Sequence, residues 1–491
     1  MATPSTAPRK FGMLDKIAYA AGDLGCNMSF SLKNTVQTFW LVYMALETGL
    51  LSALLLAVQV WDAINDPLIG SLIDADRRKY RMGKFKTYIL IGAIGLLIGG
   101  AAVFLPFPNA SVVIKAILFI VGYIIWDAFY TIANVPYGSM LSLVTEDAGE
   151  RAQLSTWRSI GSMVGNILPT MILPALIWKK EFNADGTPLM NEETGVQVET
   201  LLGDRVFIAA LIMGVLGFIC FLFMIKSITI RVDENRVKTN DAEKFNVLKA
   251  FGNFMKNRPA VGATMAAMGM FLGMNAAATA VTIMFATYFG MAQLSGVVQM
   301  IGFIPMFFFM PFIKKIVNKY GKKEASVAGT LVSLVGGLVM LTFPLIPHKG
   351  ASLIVYLIGL VLFGLGMGVY TCVSWALMAD AIDYSEWKFG KREEGTVYSL
   401  HSFFRKLAQG IGPSIVLAVM GLLGYVSDLG TGGQSAATTY NMCWLAAGLY
   451  MFSAVIQFIG LGVVYNLDKK TMEKMNTELA QRRTAAVEVT E

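Results

Sequence analysis

The segment Trp61-Asp62-Ala63-Ile64-Asn65-Asp66-Pro67 sets two carboxylates four residues apart with an amide beside them. On a helix, positions i, i+3 and i+4 share a face, so Asp62, Asn65 and Asp66 converge. Two carboxylates and an amide oxygen make a nest of hard oxygens suited to Na⁺ or Li⁺. Two neighbouring carboxylates can equally share one proton. The plainer alternative is that they pair with basic residues of an adjacent helix. A second set, Asp127, Tyr130, Thr131 and Asn134, is spaced at three, four and seven and lies along one stripe. Thr131 can add a neutral oxygen to the nest. Asp127 is open to three roles: acceptor for a substrate hydroxyl, extra proton site, or partner of a lysine.

Counter-charges stand in other apolar stretches: Lys33, Arg158 and the pair Arg405-Lys406. A charge at the centre of a spanning helix costs at least ~2.5–3.5 kcal/mol on insertion scales, so each is a functional candidate. His401 is expected to be a packed core residue, with a proton relay as the alternative. Trp61, Trp126, Trp157 and Trp375 share stretches with these groups and could stack on a sugar face, although ordinary packing is the better explanation for any single one. Pro136 is read as a helix bend.

The elements that must carry these residues are membrane helices. The 491 residues are 55% hydrophobic and only 15% charged, where a soluble domain carries about 25%. Windows such as Thr87–Leu105 and Met442–Val464 are long enough to cross a bilayer core of about 30 Å. The expectation is an all-α membrane protein with twelve transmembrane helices. They are placed at 17–43, 50–73, 87–106, 111–142, 153–178 and 206–226, then 259–289, 291–312, 324–346, 351–379, 396–424 and 439–466. The division is a six-helix half over 1–226, a linker over 227–258, a second half over 259–466 and a tail over 467–491. Within the linker, Val247, Phe251 and Phe254 sit at helical spacing, which predicts an amphipathic helix on the membrane surface.

Charge placement tests the count. Of the 40 Lys and Arg residues, 31 fall at or near the termini and alternate gaps, and the opposite side holds five: Lys179, Lys180, Arg205, Lys349 and, at the start of the fourth span, Lys115. Basic residues mark the cytoplasmic side, so both termini are expected there. The net charge of +7 sits in these short gaps, which excludes an extended nucleic-acid surface. Cys26, Cys220, Cys372 and Cys443 lie in apolar stretches without CxxC spacing, so no zinc site or disulfide framework is expected. The apolar stretch after Met1–Lys16 is too long for a signal peptide and reads as a retained span. No GxxxxGK[ST] loop is present, so no ATP-driven step is expected. A short basic loop with a glycine recurs after the second span of each half, around Gly83 and Gly321. Half-repeats of this kind place substrate and coupling ion at the midplane between them.

Three segments carry a resemblance: Trp61–Pro67, Arg81-Met-Gly-Lys-Phe-Lys86, and Ala379–Gly395 with its Asp380, Asp383, Glu386 and Trp387. With them the chain resembles the glycoside–pentoside–hexuronide:cation symporters over nearly its whole length. The resemblance implies a major facilitator fold of two six-helix halves and no enzyme activity. It implies import of a sugar glycoside, pentoside or hexuronide with Na⁺, Li⁺ or H⁺ by alternating access, without another cofactor. Asp62, Asn65, Asp66 and Thr131 match the family's cation site, with Asp62 and Asp66 as metal ligands if sodium is the ion. Arg158 and Lys406 match charged residues of the sugar region. Asn27 and Asn134 replace two sugar-binding aspartates of the bacterial melibiose carrier, and Gly138 replaces its stacking tryptophan, so melibiose itself is not expected.

The substrate set is therefore Asn27, Lys33, Asp127, Tyr130, Asn134, Arg158 and Lys406. With two acidic ligands gone, the basic residues leave an excess of positive charge, which favours a uronic acid over a neutral pentoside. The expected setting is the bacterial inner membrane, with the chain acting as a monomer. The runner-up function is a non-transporting membrane sensor or a carrier of lipid-like amphipathic solutes.

Overall fold

The computed structural model describes residues 9–76, 78–145, 147–231, 247–390 and 394–488. The side chains of some helical residues within these ranges, Asp66 among them, lie outside the description. So do linker residues 232–246 and positions 391–393 of the third family-like segment.

Inside a bilayer the backbone must satisfy its own hydrogen bonds, and long apolar helices do so. The helices are α1 (Met13–Phe30), α2 (Thr48–Ala75), α3 (Lys84–Ala102), α4 (Val112–Val144), α5 (Ala148–Ile177) and α6 (Gly203–Ser227). After a short α7 (Val247–Lys256) come α8 (Arg258–Phe289), α9 (Ala292–Phe309), α10 (Lys322–Leu345), α11 (Lys349–Phe389), α12 (Glu394–Leu422) and α13 (Ala436–Val464). A final helix, α14 (Lys469–Glu488), follows. Each of the twelve expected spans falls on helix. Nine of these helices, among the described residues, are long and apolar enough to cross a membrane. The other three are the ones that carry chemistry or a break: α1, α2 and α12.

The first span is not continuous, contrary to expectation. Helix α1 stops at Phe30 and the chain resumes helix at Lys33–Thr38, with a wider turn over Phe39–Tyr43. Ser31 Oγ donates to the Met28 carbonyl at 3.2 Å, a side-chain bond that competes with the helical ladder. Helix α4 runs through Pro136 and α5 through Pro169 and Pro174. On α6, Ile208, Ile212, Leu216 and Ile219 are exposed along one stripe, a face fit for lipid.

The two halves repeat in their packing. In the first half α1 packs on α5 and α6, and α3 on α4 and α6; in the second, α8 packs on α12 and α13, and α10 on α11 and α13. The recurring loop glycine repeats in conformation too. Gly83 and Gly321 have φ of 88° and 100° and stand immediately before α3 and α10; this region is strained for any residue with a Cβ. The first of these loops is pinned at Asp76, whose carboxylate accepts from Tyr80 and Tyr88 at 2.5 and 2.6 Å. Those bonds hold its carboxyl down to about 2.

Between α5 and α6 the chain forms a β-hairpin. Strands β1 (Trp178–Lys180) and β2 (Glu199–Leu201) pair antiparallel with Trp178 opposite Leu201. The helix expected on the membrane surface is α7, and its Phe254 is buried and stacked on Phe404 of α12 at 6.0 Å. The expected tail is a docked helix: Met475 and Leu479 are buried, and Trp387 Nε1 donates to Glu478 at 2.7 Å.

Candidate substrate and cation site

The halves meet where α2 packs on α12 and α5 on α9. Between them lies a cavity of about 350 Å³. Close approach of α1 and α5 builds its first wall. At Gly165 an added Cβ would stand 2.7 Å from the Asn27 Cβ, so only glycine admits this contact. The result brings Arg158 Nε within 3.0 Å of Asp23 Oδ1. Asn27 Nδ2 donates to the other oxygen of Asp23 at 3.0 Å, and Asn166 Nδ2 donates to Asn27 Oδ1 at 2.6 Å. Asp23, Asn27, Arg158 and Asn166 thus form one hydrogen-bonded chain along the wall.

Asp23 is the member that sequence reasoning missed. Its signal was available, because it is a charge in an apolar helix four residues before Asn27, on the same face.

The second wall comes from α2 and α4. Asp62 and Gln59 of α2 line the cavity beside Tyr123, Tyr130 and Asn134 of α4. Asn65 turns away from it, fully buried, toward α4. Its amide donates to Asp127 Oδ2 at 3.1 Å and to Thr131 Oγ1 at 3.0 Å. The stripe read from the sequence is therefore real, but it divides. Tyr130 and Asn134 face the cavity, whereas Asp127 and Thr131 are buried against Asn65 and are not among the lining residues. With both amide hydrogens committed, Asn65 Oδ1 is buried without a hydrogen-bond partner among the described residues. An orphaned carbonyl oxygen beside a carboxylate and a hydroxyl fits a hard monovalent cation, since a buried acceptor left unmade is costly. Asp66 stands one residue further along α2, and its side chain lies outside the described residues. Among the described residues no group of three or more His, Cys, Asp or Glu side chains is placed to hold a metal. Any ion here would rely on amide and hydroxyl oxygens as well as carboxylates.

Lys33, from the helix that follows the break, lines the cavity and lies over the Phe30 ring at 4.8 Å. From the other half come Arg405, Lys406 and Gln409 of α12. The Arg405 guanidinium lies 5.3 Å from the Phe271 ring and 5.8 Å from that of Trp375. His401 is buried, with Nδ1 2.9 Å from Thr264 Oγ1, and is absent from the cavity wall. The aromatic groups on the wall are Phe30, Tyr123 and Tyr130 rather than any of the four tryptophans singled out in the sequence. Trp126 is instead buried, donating to Ser29 Oγ. A Cβ added at Gly138 would meet nothing within 4 Å.

Comparison with known proteins fits this arrangement. The family model described as MFS/sugar transport protein matches residues 18–469. The uncharacterized symporter YjmB of Bacillus subtilis is 28% identical, covering 96% of this chain and 95% of its own. The glucuronide carrier protein homolog of Escherichia coli is 28% identical over 84% of each chain. Among solved structures, a D-xylose-proton symporter superposes with a TM-score of 0.56 at 16% identity, covering 90% of this chain and 96% of the other. That likeness shows the fold. The chain belongs to the MFS/sugar transport protein family: a multi-pass membrane transporter with the major facilitator fold, not an enzyme, and similar to the glycoside–pentoside–hexuronide:cation symporters.

Proposed function

We propose that this chain imports a sugar together with Na⁺, Li⁺ or H⁺ by alternating access. The observation that carries the reading is the adjacency of two sites. A cavity lined by charged and polar side chains lies between the halves, and the buried Asn65–Asp127–Thr131 cluster lies directly behind its Asp62 wall. Asp62, Asn65, Asp66 and Thr131 are assigned to the cation, and Asp127 joins them. Asn27, Lys33, Tyr130, Asn134, Arg158 and Lys406, with Asp23 and Asn166, are assigned to the sugar. A cavity so rich in charge suits neither a lipid-like solute nor a passive sensor. Proteoliposomes should accumulate sugar only under an inward cation gradient. Equal uptake with and without that gradient, across a panel of sugars and ions, would refute coupling.

The substrate is assigned as a hexuronide or glucuronide. Arg158 is neutralised by Asp23, which the sequence count left out. Even so, the wall carries Lys33, Arg158, Arg405 and Lys406 against Asp23 and Asp62. Basic side chains form strong charge-assisted bonds to a carboxylate. Uronic acids should displace a radiolabelled glucuronide, and neutral β-xylosides should displace it poorly. Competition by the xylosides alone, above the sugar carboxylate's pKa, would reverse the assignment.

The chain is placed as a monomer in the bacterial inner membrane, with both termini and the linker at 227–258 on the cytoplasmic side. The division into 1–226, 259–466 and the tail follows that placement. Cysteines introduced at the exposed positions 183–190 should react with a membrane-impermeant thiol reagent on intact cells, and those at 77–86 should not. The opposite pattern would invert the topology.

A further inference from the structure

We infer that the β1–β2 hairpin is a latch that closes the hairpin-side face, with Glu199 as its bolt over the substrate's outer route. This rests on reading the chain as an alternating-access transporter. The hairpin belongs to the first half, yet it grips the second half at three places. At the start of α9, Gln293 Nε2 donates to the Trp178 carbonyl at 2.9 Å. At the α12–α13 connection, Asn191 Nδ2 donates to the Gly432 and Gln434 carbonyls, and the Ala436 amide donates to Glu193 at 3.0 Å. At the start of α11, Lys349 Nζ donates to the Thr194 carbonyl at 3.3 Å.

Glu199 joins two of these places. It is fully buried; its carboxylate accepts from the Ala292 amide, and its backbone carbonyl accepts from Thr431 Oγ1. The second carboxylate oxygen has no hydrogen-bond partner among the described residues. A buried carboxylate with one oxygen unmatched is costly, and hydration on opening would relieve that cost. The closed face is thus held by several hydrogen bonds, two of them to the charged Lys349 and Glu193. The unmatched oxygen weakens the Glu199 bolt without cancelling its bond to the Ala292 amide, so that it can be drawn in every cycle.

Beneath the hairpin runs a crevice of about 50 Å³ ending under Trp178. It shares Ser31, Asn34 and Thr170 with the central cavity and adds the hydroxyls of Thr35, Thr38, Thr279 and Thr282. Where the crevice meets the central cavity wall, Gln37 of that wall accepts from the crevice residue Thr279 Oγ1 across the halves at 2.7 Å. A passage lined with hydroxyls suits a sugar, and at this volume it is shut. Another hydrogen bond joining the halves, Ser52 Oγ to the Ser414 carbonyl at 2.7 Å, also lies toward the hairpin face.

The test places a reporter in the crevice. In proteoliposomes, Thr282→Cys is labelled by a membrane-impermeant maleimide applied to the hairpin face, with the otherwise native chain as the control for its four cysteines. Adding Glu199→Ala, or separately Thr431→Val, should speed labelling about tenfold, the scale set by losing one hydrogen bond from the closed state. Conversely, joining Asn191→Cys to Gln434→Cys with a short bifunctional thiol reagent should stop Thr282→Cys labelling. An unchanged rate in both loosened variants, or continued labelling of the joined protein, overturns the latch. Labelling needs no sugar movement. A chain that labels as expected but transports nothing would therefore refute the transport reading and leave the latch standing.

Discussion

Asp62→Asn should reduce uphill sugar accumulation from a few hundredfold to about unity, while downhill flux and exchange persist. With a membrane potential of ~150 mV, one inward charge supplies ~3.5 kcal/mol, which corresponds to that few hundredfold. Asp62 stands on the cavity wall, one helical turn from Asn65, whose buried carbonyl oxygen lacks a described partner. Removing the carboxylate takes away most of the charge that balances a cation in a low-dielectric site. The cavity and its sugar contacts remain, so facilitated movement should survive. Asp66→Asn should behave alike. Asn65→Ala should raise the ion concentration needed for half-maximal uptake, because it removes the orphaned oxygen and releases Asp127 and Thr131 together. Concentration ratios in proteoliposomes under imposed Na⁺, Li⁺ or H⁺ gradients provide the measurement. Undiminished accumulation in both aspartate variants would remove the cation site from α2.

Arg158→Gln should destabilise the protein, and Asp23→Asn in the same chain should restore most of the loss. The Asp23 side chain is 7% exposed and that of Arg158 38% exposed. Breaking a fully buried pair from one side costs ~3–5 kcal/mol. With Arg158 partly open to the cavity, the cost falls to roughly 1–3 kcal/mol. The double variant leaves two amides that can still hydrogen-bond, with no stranded charge. Thermal unfolding in detergent across the four chains of a double-mutant cycle gives the coupling directly. Uptake separates structure from binding. If Arg158 holds the sugar, the restored double variant should still transport poorly at low sugar concentration. Simple additivity of the two single losses would show that the pair has no energetic reality.

Some of this was fixed by local chemistry. Apolar runs dictate helices because a bilayer offers the backbone no other partner, so the twelve expected positions all fall on helix. Spacing along one helix puts Asp62, Asn65 and Asp66 on one side of α2, although packing then splits Asp62 onto the cavity wall from Asn65 buried against α4. The glycines before α3 and α10 mark the same backbone conformation in each half, so the repeat was visible as two short basic loops.

What spacing cannot give is rotation against a neighbour. The stripe Asp127–Tyr130–Thr131–Asn134 is contiguous along α4, yet the angle at which α4 meets α2 turns Asp127 and Thr131 onto Asn65 and leaves Tyr130 and Asn134 in the cavity. The partner of Arg158 lies 135 residues away and meets it only because glycines on α5 admit α1. The break after Phe30 and the hairpin over the second half likewise left no periodic signal. Their sense comes from contacts between segments far apart in sequence. Helix faces and membrane placement follow from local sequence and solvent, whereas the partners across the cavity and the closed face follow from how the helices pack.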